Sequence, residues 1–210
     1  MGWTILRPTA EWSQFVICHL PFVIRFYRPA FLMTSYEIFG HCSSQLANEI
    51  FAYLQEKEKP VYRAVIQNLA NLRKLRPVFI ERKPKPERHI WLHQELARKP
   101  ADDLATQVLQ IWLLGAQQPL ICQFLDALQI KHDGKGVVDQ LPPEPEAEQL
   151  RSAVDLILGH YSPEVVTIYL RLFLMMDDAG WKKLREMLET DGRLRLGGAE
   201  AADVKGESEK

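Results

Sequence analysis

The stretch from Leu104 to Asp133 constrains the fold most: its apolar residues recur at helical spacing on both sides of a break at Gly115-Ala-Gln-Gln-Pro119. Two apolar helices joined by a hinge are the expected result. Before the break, Leu104, Val108, Ile111, Trp112 and Leu114 cover a face wide enough to call for burial on more than one side. After it, Ile121, Phe124, Leu125 and Leu128 continue the core. Asp102 or Asp103 is placed to cap the first helix, and Gly134 to close the second as a left-handed cap.

The same layout recurs along the chain. Three helices begin at a proline, Pro60, Pro119 and Pro163, and each follows another apolar helix after a short hinge. The last two units superpose at an offset of 44 residues, so that Gly115 meets Gly159, Phe124 meets Ile168 and Leu128 meets Leu172. That period falls in the range of two-helix repeats. The prediction is an all-α fold of stacked antiparallel helical hairpins, with a short solenoid-like helical repeat as its most regular form. Unrelated hairpins would share this apolar spacing and starting proline, so the pattern carries no function.

The remaining elements follow from local signals. Ser43 or Ser44 caps a helix whose face is Leu46, Ile50, Phe51 and Leu54, and Pro60 opens the next, with Val61, Val65, Leu69 and Leu72 as its stripe. Glu87 to Ala97 makes a short helix with Ile90, Trp91 and Leu96 as its contacts, and Lys83-Pro-Lys-Pro86 before it is an extended connector. Residues 136 to 147 form a proline-rich loop. A helix then carries Leu150, Val154, Ile157 and Leu158, and Ser162-Pro-Glu-Val starts another that is apolar almost all round and therefore central. Trp181 to Leu188 is a last amphipathic helix.

The helical domain is expected to span residues 33–196. Residues 1–32 differ in character: a run of apolar side chains is broken by His19, Pro21, Arg25, Arg28 and Pro29. A spanning helix needs about 20 mostly apolar residues, and each central charge costs roughly 2.5 to 3.5 kcal/mol, so this segment is not read as a membrane span. It has no clear secretory cleavage site either. An N-terminal extension is the expectation, with Met33 as the true start of the protein. Residues 197–210 are nearly free of bulky apolar side chains and are expected to be disordered. Cys18, Cys42 and Cys122 are odd in number and widely spaced, which points to free thiols in a cytoplasmic, reducing setting.

Charge is distributed unevenly. Between Arg73 and Pro100 nine cations face three carboxylates, a formal excess of six in a chain whose net charge is -1. Arg73, Lys74, Arg76, Arg82, Lys83, Lys85, Arg88 and Trp91 form the candidate binding surface, a basic strip with an aromatic beside it. Residues 140 to 180 are acidic, and the near-neutral total favours a meeting of the two regions, within the fold or between copies.

Other sites weigh less. His89 and His93 stand four apart on one helical face, a spacing that can share a metal, but Ile90 stands where a zinc peptidase needs glutamate. Surface histidines on a basic helix account for the pair. Lys131 to Gly136 fits neither a phosphate loop nor a calcium loop and reads as a helix end. Asp177 and Asp178 are adjacent and so point to different sides of a helix. Cys122 sits on an apolar helix as an inert thiol. No catalytic constellation, cofactor site or metal site emerges. The expected function is a non-enzymatic protein–protein interaction module, binding a protein partner or itself; the alternative is nucleic-acid binding through residues 73–99.

Overall fold

A computed structural model describes residues 33–138, 141–176 and 180–197; the N-terminal extension, the Asp177-Asp178 pair and the tail beyond Gly197 lie outside the described residues. All regular structure among the described residues is helical. The first helix, α1 (Ser35–His41), starts at Thr34, whose N–H and Oγ1–H both donate to Glu37 Oε2, at 2.7 and 2.8 Å. In α2 (Ser44–Lys57), Ser43 is the cap: its Oγ accepts from the Leu46 N–H at 3.2 Å. All four residues of the predicted α2 face, Leu46, Ile50, Phe51 and Leu54, are buried. A single residue, Glu58, separates α2 from α3 (Lys59–Leu72), and Pro60 lies in the first turn of α3, where its missing N–H costs nothing.

The basic stretch is more helical than its prolines suggest. Pro77 opens a short helix, α4 (Pro77–Glu81), that the sequence reading missed. Only Lys83 and Pro84 remain outside helix in the supposed connector: α5 (Lys85–Leu96) begins two residues earlier than expected, with Pro86 in its first turn. The face of α5 is also rotated. His89, Leu92, Glu95 and Leu96 point inward, whereas Ile90, expected inside, is exposed and Trp91 is half-buried. Leu72, at the last turn of α3, is likewise exposed, because the helix ends before a neighbour can cover it.

After a 3-10 turn at Lys99–Ala101 comes α6 (Asp102–Ala116), whose buried face is Ala105, Val108, Leu109, Trp112 and Leu113, leaving Leu114 exposed. Asp102 serves another helix: its Oδ1 accepts from the Tyr36 N–H at 3.1 Å, so it caps α1, against which α6 packs. Gln117 alone separates α6 from α7 (Gln118–Ala127). One residue is too few to reverse the chain. The pair turns a corner of 79°, which departs from the antiparallel hairpin expected there. Consequently α6 lies with α1 and α2 while α7 leaves to pack on α8 (Ala147–Leu158).

Helix α7 ends at Ala127, earlier than expected, and the left-handed residue that follows is Gln129, with φ 57°, rather than Gly134. The Ile130 N–H closes this end on the Leu125 carbonyl at 2.9 Å. Four residues link α8 to α9 (Pro163–Met176), and Ser162 Oγ accepts from the Val165 N–H at 3.4 Å as the predicted start signal requires. As its composition foretold, α9 is buried nearly all round, through Val165, Val166, Ile168, Tyr169, Leu170, Leu172 and Leu174. The last helix, α10 (Lys182–Thr190), covers α8 and α9 with Leu184, Met187 and Leu188. Buried residues from Ile38 to Leu194 belong to one hydrophobic cluster. Among the described residues no single helix is long and apolar enough to cross a membrane; only the bent pair 99–116 and 118–127 together reaches that length and composition.

Candidate functional site

The residues of the basic strip divide by what they touch. Arg73 caps the C-terminal end of α3 and forms an ion pair with Glu95, a buried carboxylate on α5 that Arg98 also approaches at 3.7 Å. Arg88 lies against Tyr62, its guanidinium carbon 5.7 Å from the ring centroid, and Nη1 donates to the Glu81 carbonyl at 2.9 Å. These two arginines hold α3, α4 and α5 together. Trp91 is half-buried and packs in part against the core, which limits the ring surface it offers for stacking.

The other five cations, Lys74, Arg76, Arg82, Lys83 and Lys85, form no ion pair among the described residues. Lys74 turns the chain out of α3 with φ 55°, Arg76 precedes α4 and Arg82 ends it. Exposed apolar side chains lie among them. Of the seven large hydrophobic residues exposed in the described chain, Leu72, Leu75, Val78 and Phe79 fall within eight consecutive positions. Ile80, on the same five-residue helix, is buried and fastens α4 to the core. The sequence carries a signal for this cluster, since four apolar residues are interspersed there with cations around Pro77, although the strip reads first as basic with an aromatic beside it.

The acidic region does not neutralise the strip. Glu144 Oε1 accepts from the N–H groups of Lys183 and Leu184, at 2.6 and 3.1 Å, and so caps α10. Glu146 pairs with Lys183 at 2.9 Å and Asp155 with Arg193 at 2.7 Å. Glu164 accepts from the backbone N–H of Ser43 and, at 2.8 Å, from its hydroxyl. These carboxylates are used at helix starts and by cations other than those of the strip, so the expected meeting of the two regions within the fold does not occur among the described residues.

His89 and His93 do share a face of α5, as their spacing requires, but it is the inner one. Surface exposure, expected for both, fails for His89, which is 3% exposed. Its Nδ1 lies 3.2 Å from Asn48 Oδ1, its ring tilts against Phe51 and Tyr62, and Nε2 is buried without a hydrogen-bond partner. Burial, reinforced by Lys85 and Arg88, pushes its pKa down to about 4, so the imidazole is neutral near pH 7. His93 donates from Nε2 to the Phe39 carbonyl at 2.7 Å. Among the described residues no three His, Cys, Asp or Glu side chains converge to hold a metal.

The segment 131–136 closes on itself. Asp133 Oδ1 accepts from the N–H groups of Lys135 and Val137, at 2.8 and 3.0 Å, and these bonds lower its pKa. His132 accepts at Nδ1 from the Gly134 N–H at 3.1 Å and places Nε2 3.0 Å from Asp126 Oδ1, tying the loop back to α7. The thiol of Cys122 is half-buried, 3.5 Å from the Gly134 carbonyl; burial, then Asp126 and Asp133, raise its pKa and keep it protonated. Cys42 is buried, and burial and the nearby Glu164 raise its pKa in the same sense.

The feature with the largest unspent capacity for contact is therefore the corner of α3 and α4. It presents unpaired cations and half-exposed apolar side chains together. The chain matches no protein-family model, no curated protein and no solved structure.

Proposed function

We propose that this chain is a non-enzymatic, cytoplasmic interaction module that engages a protein partner through the basic strip within residues 73–99. The observation that carries this reading is that Lys74, Arg76, Arg82, Lys83 and Lys85 form no ion pair among the described residues, while the acidic residues at 144, 146, 155 and 164 have partners elsewhere. Cations left unpaired in one stretch of the chain favour an anionic partner and accelerate its approach. The apolar residues beside them favour protein over nucleic acid. Of the four, only Phe79 carries a ring that can stack on a base; Leu72, Leu75 and Val78 carry none, and Trp91 packs in part on the core. The four-residue link between α8 and α9 is long enough for a reversal, but the repeat reading contributes nothing to the choice of surface.

The test compares tagged full-length protein with the Arg76→Glu, Arg82→Glu, Lys83→Glu triple variant, each purified from its native source with and without nuclease treatment. A protein that accompanies the wild type through nuclease treatment and is lost from the variant is the expected result. Nucleic acid as the sole companion, released by nuclease and weakened steeply by salt, favours the alternative of nucleic-acid binding. An identical set of companions for both forms removes the strip from consideration.

A further inference from the structure

We infer that the α3–α4 corner is a docking seat for an acidic amphipathic segment of a partner protein, with Leu72, Leu75, Val78 and Phe79 as its apolar floor and Lys74, Arg76, Arg82 and Lys83 as its cationic rim. This rests on the interaction-module reading and names the partner chemistry. Exposed apolar residues scattered singly are ordinary, and Ile90, Leu114 and Leu156 are of that kind. Four within one helix end, one turn and one helix start are not.

The degree of exposure argues for a seat. These side chains are 39% to 57% exposed, so each is sunk to about half its surface in the protein. Insertion into a lipid surface needs apolar side chains that reach roughly 5–10 Å into the headgroup and acyl boundary. Here α4 is held down through Ile80 and through Arg88, which donates to the Glu81 carbonyl. Such a floor suits small groups of apolar side chains laid onto it from above. Single-stranded nucleic acid would use the Phe79 ring alone for stacking and would cover Leu72, Leu75 and Val78 with sugar and phosphate, gaining nothing from those three.

The rim sets the sign of the charge. Arg73, although in the same run, is engaged by Glu95 and contributes structure. In sequence Lys74 and Arg76 stand among the four apolar residues and Arg82 and Lys83 follow them, with Glu81 as the single carboxylate in the run. A segment carrying carboxylates along one edge and leucine-like residues along the other would satisfy both halves at once. Charge alone, or apolar surface alone, would meet only one half.

The probe is a fluorescein-labelled peptide with glutamates on one helical face and leucines on the other, titrated by fluorescence anisotropy into the full-length protein. Its control is the same peptide with serine in place of leucine. The amphipathic peptide is expected to bind about tenfold more tightly than the serine control. Phe79→Ser and Leu75→Ser should each weaken it by about five- to tenfold while leaving the control unchanged. Both positions are exposed, so the result does not hang on the folding of one variant. No binding of the amphipathic peptide, equal binding of the two peptides, or indifference to both serine variants overturns the inference. So does a dependence on Phe79 that appears with phosphatidylserine vesicles or single-stranded RNA and not with the peptide. If the triple charge-reversed variant loses its native companion while both serine variants keep it, the interaction module stands and the apolar seat falls.

Discussion

Gly136 backs directly onto Ile121: a Cβ at position 136 would lie 2.5 Å from Ile121 Cγ2, and Ile121 is a core residue of α7. The loop after α7 is thus pressed against the helix it leaves. Gly136 also has φ +85°, whereas Gly134, at φ +81°, has open space around the same position. The two glycines separate conformational strain from overpacking.

Gly134→Ala is expected to cost about 1 kcal/mol, the backbone penalty alone. Gly136→Ala should cost roughly 2–4 kcal/mol, because Ile121 must also move within a packed core. Urea denaturation of both variants measures the difference, and equal losses would mean that the loop lifts away from α7 freely.

The buried neutral His89 makes stability depend on pH. Its pKa falls from 6.5 to about 4 on folding, so the unfolded chain binds more protons between those values. The contribution of His89 is complete above about pH 6.5 and is lost as the pH drops toward 4. His89→Leu should flatten that part of the profile while leaving stability near neutrality little changed. Urea midpoints across this range give the answer, and an unchanged slope would show that other groups set it.

Arg73 and Glu95 should behave as a coupled pair. Arg73→Ala leaves a buried carboxylate with only the more distant Arg98 and is expected to cost about 1–3 kcal/mol. Glu95→Gln in the same background should recover part of that loss, since the uncompensated charge is gone. A double-mutant cycle in urea reads the coupling directly. Additive effects would assign Arg73 to the binding rim after all.

Gln129 ends α7 in the left-handed region at φ 57°, where a side chain is strained. Gln129→Gly should stabilise the protein by about 0.5–1 kcal/mol, observed as a higher melting temperature. A lower melting temperature would mean that the Gln129 side chain makes a contact worth more than the strain.

That last position shows what the sequence could and could not convey. The helices around Leu46–Leu54, Leu150–Ile157 and Val165–Leu174 were legible because an apolar period fixes a buried face without reference to the partner. Helix ends were less so. Gly134 has the residue type of a left-handed cap, yet the cap went to Gln129, because Leu125 and Ile130 meet first. In α5 the period was weak, and the inward face is chosen by what Asn48, Phe51 and Phe39 offer to His89 and His93. Residues so far apart in sequence carry no local trace of that choice. The corner at Leu72–Phe79 was visible as letters but not as surface, since Ile80 alone among its neighbours found a place inside.

Two carboxylates give the fold an order in time. Beyond its local cap, the start of α1 is also bonded by Asp102, 66 residues downstream of Tyr36, and the start of α2 by Glu164, 121 residues beyond Ser43. During synthesis both helices leave the ribosome before the groups that complete them exist. A chain interrupted ahead of α9 would therefore carry its damage at the opposite end, in the helix that was made among the first.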